Sequence, residues 1–217
     1  MNGRNHIQTL CLVLLVLLTG IQQRAIAADA DDLMAKAIAH FEKGGVELEV
    51  ALDDMAELGI DGTAVVKMDR ERFTLKADGN IIWFDGKTQW TLRADDGTAG
   101  GSELYIGEPT EEDLQAVNPY ILMKNYRRQY TASMASTVTM PRGATACVRL
   151  QNRDSRADIQ DALVFLDGEC RLVAVTATVQ GTAVSLKVRS FRTGVKFKDA
   201  DFVCRVKDYD AEVIDLR

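Results

Sequence analysis

The sequence predicts a mainly β chain of the α+β class, one large antiparallel sheet that curls and carries helices over its concave face. Three observations carry that expectation. Apolar and polar residues alternate with a period of two in stretch after stretch. Asp-Gly pairs fall between those stretches, and helical spacing occurs only at the start of the mature chain and once midway.

Taken in order, residues 1–27 read as an export leader. Arg4 precedes an apolar run from Leu10 to Leu18, and polar Gln22-Gln23-Arg24 leads into the small-residue pattern Ala25-Ile26-Ala27. The run is well short of the roughly 20 residues that span a bilayer, so cleavage before Ala28 is expected instead of an anchor. Cys11 follows Thr9-Leu10, without the small residue that lipidation signals place before cysteine. The remainder, 28–217, suits one domain with a sizeable core.

From Ala28 to Lys43, Leu33, Ala37, Ile38 and Phe41 recur at helical spacing behind the acids Asp29, Asp31 and Asp32, and Gly44-Gly45 stops the run. At Val46 the period becomes two. Val46, Leu48, Val50 and Leu52 alternate with Glu47, Glu49, Ala51 and Asp53, as a strand with one apolar face requires. The pattern recurs at Ala64-Val66-Met68, Phe73-Leu75-Ala77, Thr88-Trp90-Leu92, Leu104-Ile106, Leu172 to Thr178 and Val184-Leu186-Val188. Asp61-Gly62, Asp78-Gly79, Asp85-Gly86, Asp96-Gly97 and Asp167-Gly168 favour the tight turns of a β-meander.

Pro109-Thr110-Glu111-Glu112-Asp113 opens the helical interruption, with Thr110 as N-cap and Asp113 three residues on. Leu114, Val117 and Ile121 form its stripe. Pro119 breaks it, and Asn118 caps a second short helix bearing Tyr120, Leu122, Met123 and Tyr126. After Met140-Pro141 the strand pattern is expected to resume and run to the C-terminus.

Loss of the leader removes Arg4 and Arg24 and no acid, taking the formal net charge from −6 to −8. An acidic surface argues against nucleic acid as a partner. Cys147, Cys170 and Cys204 survive cleavage; an odd count permits either one disulfide with a free thiol or three buried thiols, and their spacing fits neither a metal site nor a Cys-x-x-Cys motif. His40 is the only histidine after the leader, so a histidine-assisted nucleophile is not expected. No dinucleotide fingerprint, phosphate loop or nucleophile elbow occurs, and Gly100-Gly101-Ser102 reads as a loop tip. Acid pairs such as Asp53-Asp54, Asp95-Asp96 and Glu111-Glu112 sit at strand ends, turns and a helix start, where solvated charge is expected. Cofactors and metals are therefore not expected, nor is catalysis.

With these elements in place, the chain resembles the outer-membrane lipoprotein carrier family, in its divergent LolA-like branch. The residues that carry the resemblance are Ile81-Ile82-Trp83-Phe84-Asp85-Gly86-Lys87-Thr88-Gln89-Trp90, the segment Pro109 to Tyr120, and the ending Val213-Ile214-Asp215-Leu216-Arg217. The resemblance implies an incomplete antiparallel β-barrel closed on its concave face by a helical lid. It also implies a periplasmic carrier that accepts acylated lipoproteins from an inner-membrane release complex, shields their chains and passes them to an outer-membrane receptor or membrane, working as a monomer. Many family members carry Lys-Arg-Pro on an early strand, the arginine latching the lid. Here the stretch is Lys67-Met68-Asp69-Arg70, which leaves Arg70 and Arg72 as latch candidates.

A cavity for hydrocarbon needs adaptable apolar lining, and burying a methylene contributes roughly 0.8 kcal/mol, so a ~16-carbon chain gains on the order of 10 kcal/mol before ordering losses. Met68, Met123, Trp83, Trp90 and Tyr120 are the candidate lining by type. Leu48, Val50, Val66, Leu92, Leu104 and Ile106 join them on strand parity, with Leu122 from the second helix. The parity of Trp83 relative to Trp90 across the hairpin is not fixed by sequence. Met34, Leu33 and Phe41 either face the cavity or dock the first helix, and Arg127-Arg128 either meets a partner or is solvated. Carriage of another lipid and a lipid-sensing regulator are the alternatives on the same scaffold.

Overall fold

A computed structural model describes residues 29–53, 62–95, 97, 101–179 and 181–217. The expected leader, its cleavage site, Asp54, Asp61, Asp96 and Gly100 lie outside the described residues.

Helix α1 covers residues 29–42, followed by Gly44 at φ 141° and by Gly45. A Cβ on Gly45 would fall 2.4 Å from the Val195 carbonyl oxygen and 2.5 Å from the Phe197 ring, so the chain passes there only because the side chain is missing. Strands β1 (Gly45–Asp53), β2 (Gly62–Asp69), β3 (Arg72–Ala77), β4 (Asn80–Phe84), β5 (Gln89–Arg93) and β6 (Glu103–Gly107) form an antiparallel meander. Asp78 and Gly79 both take positive φ, 46° and 82°, as a two-residue hairpin turn of matching twist requires. At the next turn the Asp85 carboxylate accepts from the backbone N–H groups of Lys87 and Thr88.

Helices α2 (Glu111–Val117) and α3 (Pro119–Gln129) then interrupt the strands. Thr110 and Asp113 form the capping box expected of them, and the Asn118 side chain accepts from Tyr120 and Ile121, with Pro119 supplying the first helical residue. A second antiparallel run follows: β7 (Tyr130–Met134), β8 (Ala146–Asn152), β9 (Ile159–Leu166), β10 (Leu172–Val179) and β11 (Thr182–Val195). Pairing of β11 with β1 joins the two runs. Among the described residues the result is a sheet of twelve strands in the order β12-β6-β5-β4-β3-β2-β1-β11-β10-β9-β8-β7, open because β12 and β7 are its free edges.

The C-terminal end departs from the expected strand pattern. Residues 196–211 form a strap with two 3-10 turns, Asp199–Asp201 and Val206–Asp208, before β12 (Glu212–Asp215) pairs parallel to β6. Arg72 holds the strap through Asp199 at 2.6 Å and lies 4.9 Å over the Phe202 ring; the Thr74 hydroxyl donates to the Asp201 carbonyl at 2.5 Å. Phe202 and Cys204 are buried and Val206 and Tyr209 pack beside Trp83, so this segment folds over a face of the sheet.

Candidate functional site

Ladder register decides which residues share a face, since directly paired residues point the same way. Val46, Leu48 and Val50 of β1 pair with Met68, Val66 and Ala64 of β2, which pair with Phe73, Leu75 and Ala77 of β3. The same face continues through Val188 and Leu186 of β11, Val175 of β10, Val164 of β9 and Val148 of β8. This concave face meets Ala30, Met34, Ala37 and Phe41 of α1 and Tyr120, Leu122, Met123 and Tyr126 of α3 in one buried cluster. Met34 and Phe41 are thus core residues that dock the helix.

Among the sequence-predicted lining residues, Leu48, Val50, Val66, Met68, Tyr120, Leu122 and Met123 come together here, each no more than 2% exposed. The sheet and the helices are in direct contact through them. Toward the β10–β11 end the face outruns that contact: Ala177, Val184, Leu186 and Val188 remain half-buried.

Trp83, Trp90, Leu92, Leu104 and Ile106 are brought together on the opposite, convex face. Trp83 pairs with Trp90, Trp90 with Ile106 and Leu92 with Leu104, and Trp83 pairs with Thr74, whose neighbours Leu75 and Phe73 point to the concave side. Trp83, Leu92 and Leu104 form a separate cluster with Cys204 under the strap, and Tyr209 meets the Trp83 ring edge-on at 5.4 Å. The expectation that they line the helix-covered face fails because β4 is apolar on both sides, so its parity gives no direction. The signal that points the other way is the spacing of Gln89, Thr91 and Arg93, which takes the concave side of β5 polar.

The latch also differs from the expectation. Arg72 points to the strap and to Asp69 at 2.5 Å, and Arg70 sits exposed at φ 58° in the β2–β3 turn. Glu71 between them makes the connection to α3: Lys124 Nζ lies 2.6 Å from its carboxylate, and Asn118 donates to its carbonyl at 3.4 Å. The Lys124 ammonium is raised above its ordinary pKa, chiefly by that hydrogen bond to Glu71. The Tyr126 hydroxyl donates to Asp31 of α1 at 2.6 Å; burial first, then that hydrogen bond, push its pKa up to about 12. Arg127 donates to the Tyr126 oxygen at 3.0 Å and Arg128 pairs with Glu111 of α2, so both arginines are engaged within the lid. His40 bonds the Glu169 carbonyl oxygen at 2.8 Å, tying the end of α1 to the β9–β10 turn. These polar ties ring a cover that meets the concave face mainly through apolar and aromatic side chains.

Cys147, Cys170 and Cys204 are buried free thiols. Cys147 and Cys204 occupy different convex-face clusters, and burial pushes both thiols up to about 11.

A family model described as outer membrane lipoprotein carrier protein LolA matches residues 21–182. The chain belongs to that family. Its role is the binding and carriage of lipid or lipoprotein, and its members work outside the cytoplasm. No curated protein matches the sequence. Among solved structures, an uncharacterized conserved protein from Thermus thermophilus superposes with a TM-score of 0.52 at 15% identity, over 86% of this chain and 99% of that one. Lipoprotein LppX from Mycobacterium tuberculosis gives 0.44 at 15% identity, over 77% and 99%. A LolA superfamily protein from Nitrosomonas europaea gives 0.38 at 12%, over 81% and 97%. At these identities the likeness concerns fold alone.

Proposed function

We propose that the chain, after loss of its leader, is a periplasmic, non-enzymatic carrier that shields the acyl chains of lipoproteins on its concave face. It takes them from an inner-membrane release complex and delivers them to an outer-membrane receptor or membrane. The observation that supports this most directly is the continuous apolar concave face, covered by helices that polar contacts fasten at their ends, and half-buried beyond that cover at Val184, Leu186 and Val188.

The energetics favour a reversible exchange. Burial of Met34, Phe41, Tyr120 and Met123 against the sheet contributes roughly 1.5–3 kcal/mol each. A ~16-carbon chain lying on the same surface gains on the order of 10 kcal/mol. The two sums are comparable, so a hydrocarbon tail can replace the lid's side chains and later surrender the surface to them. The ties at the rim are solvent-exposed ion pairs such as Glu71–Lys124, worth about 0–1 kcal/mol each, and do not lock the cover.

The experiment is depletion of the protein in its own cell followed by membrane fractionation. Lipoproteins destined for the outer membrane are expected to accumulate in the inner membrane. Normal sorting in depleted cells, with a different lipid retained or a stress response altered, would move the assignment to another lipid or to a sensor.

A further inference from the structure

At β5 and β6 the concave face changes character. Gln89, Thr91 and Arg93 point to the same side as Ile82, and Tyr105 and Gly107 pair with Thr91 and Gln89. A half-open cavity of about 510 Å³ lies over them, bounded by the Glu108–Pro109 segment, by Asp113 of α2 and by Leu216. Its inner wall is Ile82 and Val117, which also belong to the apolar cluster or pack on it, so the cavity adjoins the helix-covered face directly.

The polar groups around it divide into engaged and open ones. Asp113 is consumed by the α2 capping box, Glu108 faces Lys87 at 3.5 Å, and the Tyr105 hydroxyl donates to Glu103 at 2.5 Å. The Arg93 guanidinium instead lies 5.3 Å over the Tyr105 ring, exposed, and forms no ion pair among the described residues. The Gln89 amide donates to the Thr91 oxygen at 3.2 Å, which leaves its second N–H and the Thr91 hydroxyl proton for a ligand. The surface on offer is therefore a set of donors, one of them cationic, at the rim of a hydrocarbon-binding face. Gly107 keeps the floor open: a Cβ there would meet only Leu216 Cβ at 4.0 Å, and its φ is one that any residue adopts.

We infer that this cavity holds the carbonyl-rich junction of the cargo, the ester and amide groups that link acyl chains to the N-terminal cysteine of a lipoprotein, with Arg93, Thr91 and Gln89 as donors. The assignment rests on the carrier reading and adds the polar half of the same site. Ester and amide carbonyls are uncharged acceptors that need donors once they leave water, and a carrier that buried the tails without them would leave those oxygens unsatisfied. A chain anchored here runs inward past Ile82 and Val117 onto the apolar face.

The test compares two probes, a synthetic triacylated cysteinyl peptide and a fluorescent long-chain hydrocarbon with no carbonyl or other polar group, on the wild-type protein, Arg93→Ala and Gly107→Leu. The lipopeptide is expected to bind roughly tenfold more weakly to each variant, while the hydrocarbon probe binds all three proteins alike. Gly107→Leu fills the cavity without backbone strain, and Arg93→Ala removes a donor from an exposed position, so the two variants check each other. Unchanged lipopeptide binding by both variants overturns the assignment and leaves the carrier reading standing. Equal weakening for both probes overturns it as well, because the effect is then not confined to the polar junction. A wild-type protein that binds neither probe overturns this assignment and the carrier reading together.

Discussion

Replacing Tyr126 by Phe isolates the tie between the two lid helices from the packing beneath them. The ring stays in the core, where Tyr126 is 2% exposed, and only the hydroxyl is lost, which donates to Asp31 at 2.6 Å and accepts from Arg127 at 3.0 Å. A hydrogen bond to a charged group contributes about 1.5–3 kcal/mol when well buried. Here the Asp31 side chain is 46% exposed and regains water once the partner is gone, and Arg127 remains 3.9 Å away, so the loss should be about 1 kcal/mol. That corresponds to a roughly fivefold larger population of molecules in which α1 has lifted from α3. Amide hydrogen exchange reads it directly: residues 29–42 should exchange about fivefold faster, while the centre of β9 around Val164 stays unchanged. No acceleration in α1 would show that the tie does not hold the lid. Equal acceleration in both places would show that the lid has no opening of its own and comes away only with the whole fold.

Other expectations follow from the same contacts. Leu48→Ala, at a position 0% exposed in the middle of the concave face, should cost about 2–5 kcal/mol in urea unfolding; a cost below about 1 kcal/mol would mean the face is loosely packed. Trp83→Ala should destabilise by about 3–5 kcal/mol yet leave acyl-chain affinity per folded molecule unchanged, since its ring lies under the strap; weakened affinity at full fold content would return it to the lining. Gly45→Ala should destabilise by more than about 2 kcal/mol because the new Cβ collides with backbone at Val195, and wild-type stability would refute that geometry. Cys147 and Cys204 have folded pKa values near 11 against an ordinary 9.0, and Tyr126 near 12 against 10.0. Each folded value is raised, so each contribution is complete below the ordinary value and fades as pH climbs through the folded one. Urea midpoints should fall between pH 9 and pH 12, and a flat profile across that window contradicts the burial of these groups.

Local chemistry was readable in the sequence wherever one residue type has one physical job. The Thr110–Asp113 box, the Asn118 cap with Pro119 behind it, and the Asp-Gly turn at Asp78-Gly79 all appear where the spacing puts them. The two-residue period gave the strands and their meander, and it separated Leu48, Val50, Val66 and Met68 from their polar neighbours. Period alone does not say which side of a strand faces which cover. The assumption of one core sent every apolar residue to the concave face, whereas the molecule has a second apolar surface beneath the strap. Phe202, Cys204, Val206 and Tyr209 were the available signal for it, four apolar or aromatic residues that lie outside the strands of the concave face. The latch was hidden for a different reason. The turn Arg70-Glu71-Arg72 offers two cations and one anion, and only the fold shows that Lys124 of α3 comes within reach of the anion. The pairing of β1 with β11 and of β6 with β12 joins residues more than a hundred positions apart, a separation at which no local pattern carries information.

The most direct measurement is mass spectrometry of the material that co-purifies with the protein when it is isolated, without detergent, from its own cells. The expected result is acylated lipoprotein held by its hydrocarbon tails and released when a membrane or receptor is supplied. Protein recovered without any acylated molecule, and unable to take one up when offered, would mean that the helices never leave the sheet and that the concave face is core alone.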